Sequence, residues 1–100
     1  MNTTPSLKDL CEYITPQYSA EWKLIGTLLD LPSGELKAIE AGYPTNVKRC
    51  CNQMLEKWLE VDPTASWGKL FNIIKSPAVA NDQAIDKGDY SFVYSIIANN

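Results

Sequence analysis

Val47-Lys48-Arg49-Cys50-Cys51-Asn52-Gln53-Met54-Leu55-Glu56-Lys57-Trp58-Leu59-Glu60-Val61 is the stretch on which the reading of the chain turns. Val47, Cys50, Cys51, Met54, Leu55, Trp58 and Val61 recur at three- and four-residue steps, the spacing that lines apolar side chains along one face of an α-helix. The pattern runs for roughly four turns, too long for a strand. Thr45 or Asn46, after Pro44, can cap its start, and Asp62-Pro63-Thr64 breaks it and caps the next helix. A helix with one apolar stripe needs other helices to cover that stripe, so its neighbours in sequence are read for the same period.

Upstream, Leu7, Leu10, Cys11 and Ile14 share a face. Ser6 can cap this helix, with Asp9 three residues on, and Thr15-Pro16 is expected to end it. Ser19 is expected to cap a second helix striped by Trp22, Ile25, Gly26 and Leu29 and widened by Leu28 and Leu31. Pro32 follows, Ser33 is expected to cap a short third helix with Leu36 and Ile39 inward, and Gly42 stands where a terminating glycine is expected. Downstream, Trp67, Leu70, Phe71 and Ile74 stripe a fifth helix. Ser76-Pro77 stops it and opens a weaker sixth with Val79, Ala80, Ala84 and Ile85. The expected fold class is all-α. Only Tyr90, Phe92, Tyr94 and Ile96 alternate as a strand would. That tail reads either as a frayed or helical extension on the surface or as a docking segment for a partner.

Composition narrows the chemistry. A chain of 100 residues with no histidine lacks the commonest general base and the commonest zinc ligand, so catalysis is disfavoured and no cofactor or metal is expected. The net charge of −3 and the scattered lysines and arginines argue against a nucleic-acid binder. A helix-turn-helix reading would need a basic recognition helix, whereas Lys48, Arg49 and Lys57 share theirs with Glu56 and Glu60. No stretch approaches the ~20 apolar residues of a membrane span. Residues 1–10 carry no apolar run of the signal-peptide kind, and Cys11, Cys50 and Cys51 form no paired framework. A reducing, cytoplasmic setting is expected. Cys50 and Cys51 read as small apolar residues of the stripe, and Trp22, Trp58 and Trp67 as core anchors.

Four of these stretches together resemble one family. Trp22-Lys23-Leu24-Ile25-Gly26-Thr27-Leu28-Leu29-Asp30-Leu31 resembles the second-helix signature of death domains, and Leu36-Lys37-Ala38-Ile39-Glu40 their third helix. Met54-Leu55-Glu56-Lys57-Trp58 is similar to the fourth-helix pattern, and Ala65-Ser66-Trp67-Gly68-Lys69-Leu70 to the opening of the fifth. Gly26 stands where the family usually has Ala and Ser66 where it usually has Thr; both keep a small side chain. The resemblance spans about residues 6–87 and leaves 88–100 as an apolar C-terminal tail. It implies a six-helix antiparallel Greek-key bundle, the death fold, without catalytic activity. It also implies binding to other death-fold domains in cytoplasmic signalling for cell death or innate immunity. A decoy or regulatory scaffold that blocks such assembly is the alternative it leaves open.

The charged residues read by themselves as solvated faces. Glu56 and Glu60 stand i and i+4 on one face with Asp62 just beyond, while Glu35 and Glu40 do not share a face. Death-fold assemblies are generally built from asymmetric contacts between opposed patches, and the resemblance therefore implies candidate partner-binding residues. One contact sets Glu56, Glu60 and Asp62 against Lys75 with Ser76; another sets Lys8, Lys48 and Arg49 against Asp30, Glu35 and Glu40. Both pairings are complementary in sign, so self-association head to tail is physically permitted.

Overall fold

The computed structural model describes residues 3–82, and every regular element among them is helical. The long amphipathic stretch forms α5 (Val47–Val61), which packs against α1 (Leu7–Tyr13), α2 (Thr15–Tyr18), a 3-10 turn (Ser19–Glu21), α3 (Trp22–Leu28) and α4 (Ser33–Gly42). Two further helices, α6 (Trp67–Lys75) and α7 (Pro77–Asp82), complete the described chain; α6 lies on α3 and α7. Cys50, Cys51, Met54, Leu55 and Trp58 are the buried face of α5. They meet Leu10, Ile14, Tyr18, Trp22, Ile25, Leu36, Leu70, Ile74 and Val79 in one core. That shared burial, rather than the propensity of helices this short, holds the bundle together.

The expected first helix comes in two pieces. The break lies at Ile14 (φ −95°, ψ −50°), one residue before the expected site, and the backbone stays right-handed through it. Thr15 and Pro16 then open α2 instead of ending α1. A proline in a first helical turn lacks only an N–H that would have no partner there anyway. Thr15 is buried, and its hydroxyl donates to Asn52 Oδ1 at 2.5 Å, fastening α2 to α5.

Ser6 caps α1 and Asn46 caps α5 through their side-chain oxygens, which accept from the amides of Asp9 (3.1 Å) and Arg49 (3.0 Å). Other helix starts and ends depart from expectation. Ser19 begins the 3-10 turn that runs straight on from α2, so it has no extended backbone from which to cap. Ser33 is the first residue of α4, with Pro32 in the cap position. Ser66, not Asp62-Pro63-Thr64, caps α6 by accepting from Lys69 N–H at 3.1 Å. Gly42 ends α4 without a left-handed turn. The left-handed position is Asp30 (φ 67°), after α3. There Leu31 N–H reaches back to Gly26 O and Asp30 N–H to Thr27 O, both at 3.0 Å, the paired bonds that close a Schellman ending.

Leu28, Val47 and Val61 were expected in the stripes but are exposed, at 37%, 49% and 49%; they stand at helix ends, where the bundle covers them only in part. Gly26 is packed against α4 and α5: a Cβ there would stand 2.7 Å from Leu36 Cδ2 and 3.1 Å from Met54 Cγ. Ahead of α1, Pro5 is buried and Thr3 O accepts from Trp67 N–H at 3.1 Å, tying the start of the described chain to α6. Ala84, Ile85 and the tail 88–100 lie outside the described residues.

Candidate interaction surface

The corner between α5 and α6 is built around Asp62. Its Oδ2 accepts from Trp58 Nε1–H (3.1 Å) and Lys69 Nζ–H (2.5 Å); its Oδ1 accepts from Thr64 N–H (2.9 Å) and Oγ1–H (2.7 Å). The Lys69 ammonium foremost, with the Thr64 and Trp58 donors, holds this carboxyl far below the usual carboxylate range. Asp62 was expected in an exposed acidic patch with Glu56 and Glu60. The structure sets it inward, with its charge balanced by Lys69 and its side chain only 14% exposed. Glu56 and Glu60 do face solvent on the last turns of α5.

The remaining candidates fall into two kinds. Glu35 and Glu40 lie on α4 and are each ion-paired to a neighbouring helix. Lys57 of α5 bridges Glu35 (3.8 Å) and Glu60 (3.5 Å), and Lys23 of α3 reaches Glu40 at 2.7 Å. Such exposed pairs are worth about 0–1 kcal/mol and exchange readily with a partner's charge. The cations are more open. Lys8 and Lys48 are exposed, and Arg49 lies over the Tyr43 ring at 4.9 Å. Lys75, the last residue of α6, holds its ammonium 4.7 Å from the Phe71 ring centre, beside Ser76.

Asp30, expected alongside Glu35 and Glu40, belongs instead to the other acidic region. A cavity of about 240 Å³ opens between the end of α3 and the α5–α6 corner, lined by Leu29, Asp30, Val61, Asp62 and Lys69. Lys69, Lys57 and Lys23 were missed from sequence. Trp58 and Asp62 at i, i+4 were a legible pair, but nothing in the sequence placed Lys69 on it.

The thiols are placed for packing. Burial, aided by Glu56, pushes the Cys11 thiol up; burial likewise raises Cys50 and carries Cys51 to about 11. Thiols so shifted carry little thiolate at neutral pH. Cys50 Sγ–H donates to Tyr43 O at 3.2 Å. Among the described residues no three His, Cys, Asp or Glu side chains gather as a metal site would require.

A family model described as Death domain matches residues 6–76, more than half of the chain. The chain belongs to the death domain family. Comparisons with curated proteins and with solved structures gave no match. The match takes in α1 to α6 and stops one residue before α7. Death domains are protein-interaction modules, generally not enzymes, so the surfaces of this death domain, rather than a cleft, are where its function is sought. No helix among its described residues is long and apolar enough to cross a membrane.

Proposed function

We propose that this death domain works by head-to-tail assembly with other death-fold domains, second copies of itself included, in cytoplasmic signalling for cell death or innate immunity. The observation that supports this reading is the pair of exposed, oppositely charged ends. Glu56 and Glu60 stand at the close of α5, and Lys75 stands at the α6–α7 corner. Asp62 serves this surface indirectly, fixing the α5–α6 corner from which Glu60 projects. A second contact pairs Lys8, Lys48 and Arg49 with Glu35 and Glu40, which release Lys57 and Lys23 in exchange. Charge pairs of this kind choose the partner and speed encounter, and they weaken with salt.

Charge reversal tests the reading. Glu60→Lys and Lys75→Glu each weaken self- or partner association by about tenfold at low ionic strength and less at physiological salt. Both leave the circular-dichroism thermal midpoint in place. Light scattering that finds association unchanged for both variants, at both salts, removes this surface from the assembly.

A further inference from the structure

Three places in the chain set a hydroxyl residue before proline: Thr4-Pro5, Thr15-Pro16 and Ser76-Pro77. The structure separates them. Pro5 is buried, so Thr4 does not present a free dipeptide. Thr15 is itself buried, and its hydroxyl donates to Asn52. At the third place the serine is half-buried, and Lys75, Pro77 and Ala78 around it are exposed. Ser76 is the single residue between α6 and α7, and its backbone is extended (φ −61°, ψ 150°). Its hydroxyl donates to Ile73 O at 2.7 Å, and the same carbonyl accepts from Ser76 N–H at 3.1 Å. The hydroxyl can therefore turn outward and leave that acceptor still paired.

We propose that Ser76 is a phosphorylation site for a proline-directed serine kinase, and that its phosphate reverses the charge of the α6–α7 corner. A kinase pocket that takes proline after the serine has no acceptor for a backbone N–H, and Pro77 carries no N–H to leave unpaired. The kinase also needs its substrate extended on both sides of the serine. Local opening of α7 supplies that stretch, because six residues do not hold a helix alone and Val79 is what anchors this one in the core. Ser76 Oγ attacks the γ-phosphorus of ATP; the Oγ–P bond forms, the bond to the β-phosphate oxygen breaks, and ADP leaves. The hydroxyl proton passes to the catalytic aspartate of the kinase. A phosphoserine carries about −1.5 to −2 charges at neutral pH, which outweighs the single positive charge of Lys75 beside it. The consequence for assembly rests on the head-to-tail reading: a corner that attracts an acidic patch then repels it.

The full chain, ATP and a purified proline-directed kinase test the site, with phosphopeptide mapping as the readout. Phosphate is expected on Ser76. Ser76→Ala and Pro77→Ala each lower incorporation at least about tenfold, and Thr4→Ala leaves it unchanged. Phosphate mapped elsewhere, or incorporation unaltered in Ser76→Ala or Pro77→Ala, overturns the site. Sedimentation velocity on the phosphorylated chain tests the charge reversal. Self-association falls about tenfold, as in Lys75→Glu, and phosphatase treatment restores it. Association unmoved by the phosphate but weakened by Lys75→Glu overturns the reversal and keeps the head-to-tail reading. Association unmoved by either, or a wild-type chain that stays monomeric at its highest soluble concentration, overturns the reversal together with self-association through this corner.

Discussion

Two corners of this bundle turn on an aspartate, and they use it differently. At the α5–α6 corner Asp62 ties Trp58, Thr64 and Lys69 together, so helix end, loop and next helix share one carboxylate. At the α3–α4 corner the backbone alone makes the turn, through the bonds from Asp30 and Leu31 to Thr27 and Gly26, and the Asp30 side chain faces solvent. The neighbours decide which role each plays. Asp62 has a tryptophan four residues before it and a threonine two after, both within reach of its oxygens. Asp30 bonds through its backbone to Thr27, whose hydroxyl donates instead to Lys23 O at 2.9 Å, and Gly26 and Leu31 have no side chain that can donate. An acidic residue at a helix end is thus part of the fold or part of the surface according to the donors around it, not its own exposure in sequence.

The contrast can be broken most severely from the α5 side. Trp58→Ala opens a hole beneath the corner and removes a donor from Asp62, and is expected to lower stability by about 3–5 kcal/mol in denaturant unfolding. An unaltered midpoint would contradict the buried placement of Trp58. Asp62→Asn keeps the shape and removes the charge. A loss of about 1–2 kcal/mol is expected at neutral pH, below the full worth of charged hydrogen bonds because Lys69 is partly exposed. The folded-state pKa of Asp62 lies below its unfolded value, near 4. Its stabilisation is therefore fully present above about pH 4 and is lost as pH falls toward the folded-state pKa. Acid titration of stability should show the wild type and Asp62→Asn converging below that point, and parallel curves would assign the effect to another group.

The α3–α4 corner should respond least. Gly26→Ala gains helix propensity in α3, by up to about 1 kcal/mol, but its methyl must displace the end of Leu36, where overpacking costs about 1–3 kcal/mol. Leu36 is itself buried and Met54 Cγ would stand 3.1 Å from the same methyl, so the two effects leave a net loss of about 1 kcal/mol in thermal melts. A loss near that of Trp58→Ala would mean that the approach of α3 and α4 is as rigid as the core itself.

The helices were legible because their period is written in the chain: the stripe from Cys50 to Trp58 specifies both α5 and the face it buries. Caps were legible only in part. Ser6 and Asn46 cap, but Ser19 and Ser33 do not, because a capping residue must itself have a non-helical backbone and these two are already helical. Gly42 showed that the residue best suited to a left-handed ending does not always occupy one, and Asp30 took that conformation instead. The candidate surface was less legible still. Its residues lie on the expected helices, yet Lys57–Glu35, Lys23–Glu40 and Lys69–Asp62 join side chains whose meeting depends on how elements pack. Sequence spacing gives the faces of a single helix, not the partners that packing brings to them.

The hydrogen bond from Trp67 N–H to Thr3 O carries a lesson about where a domain ends. The opening amides of a helix have no partner within it, and here one of α6's is satisfied by a residue that precedes α1. Pro5, two residues on, is buried as well. A boundary drawn at residue 6, where the family match begins, would therefore discard part of the cap on α6. By family likeness Thr3 stands outside the domain; by hydrogen bonding it belongs with α6.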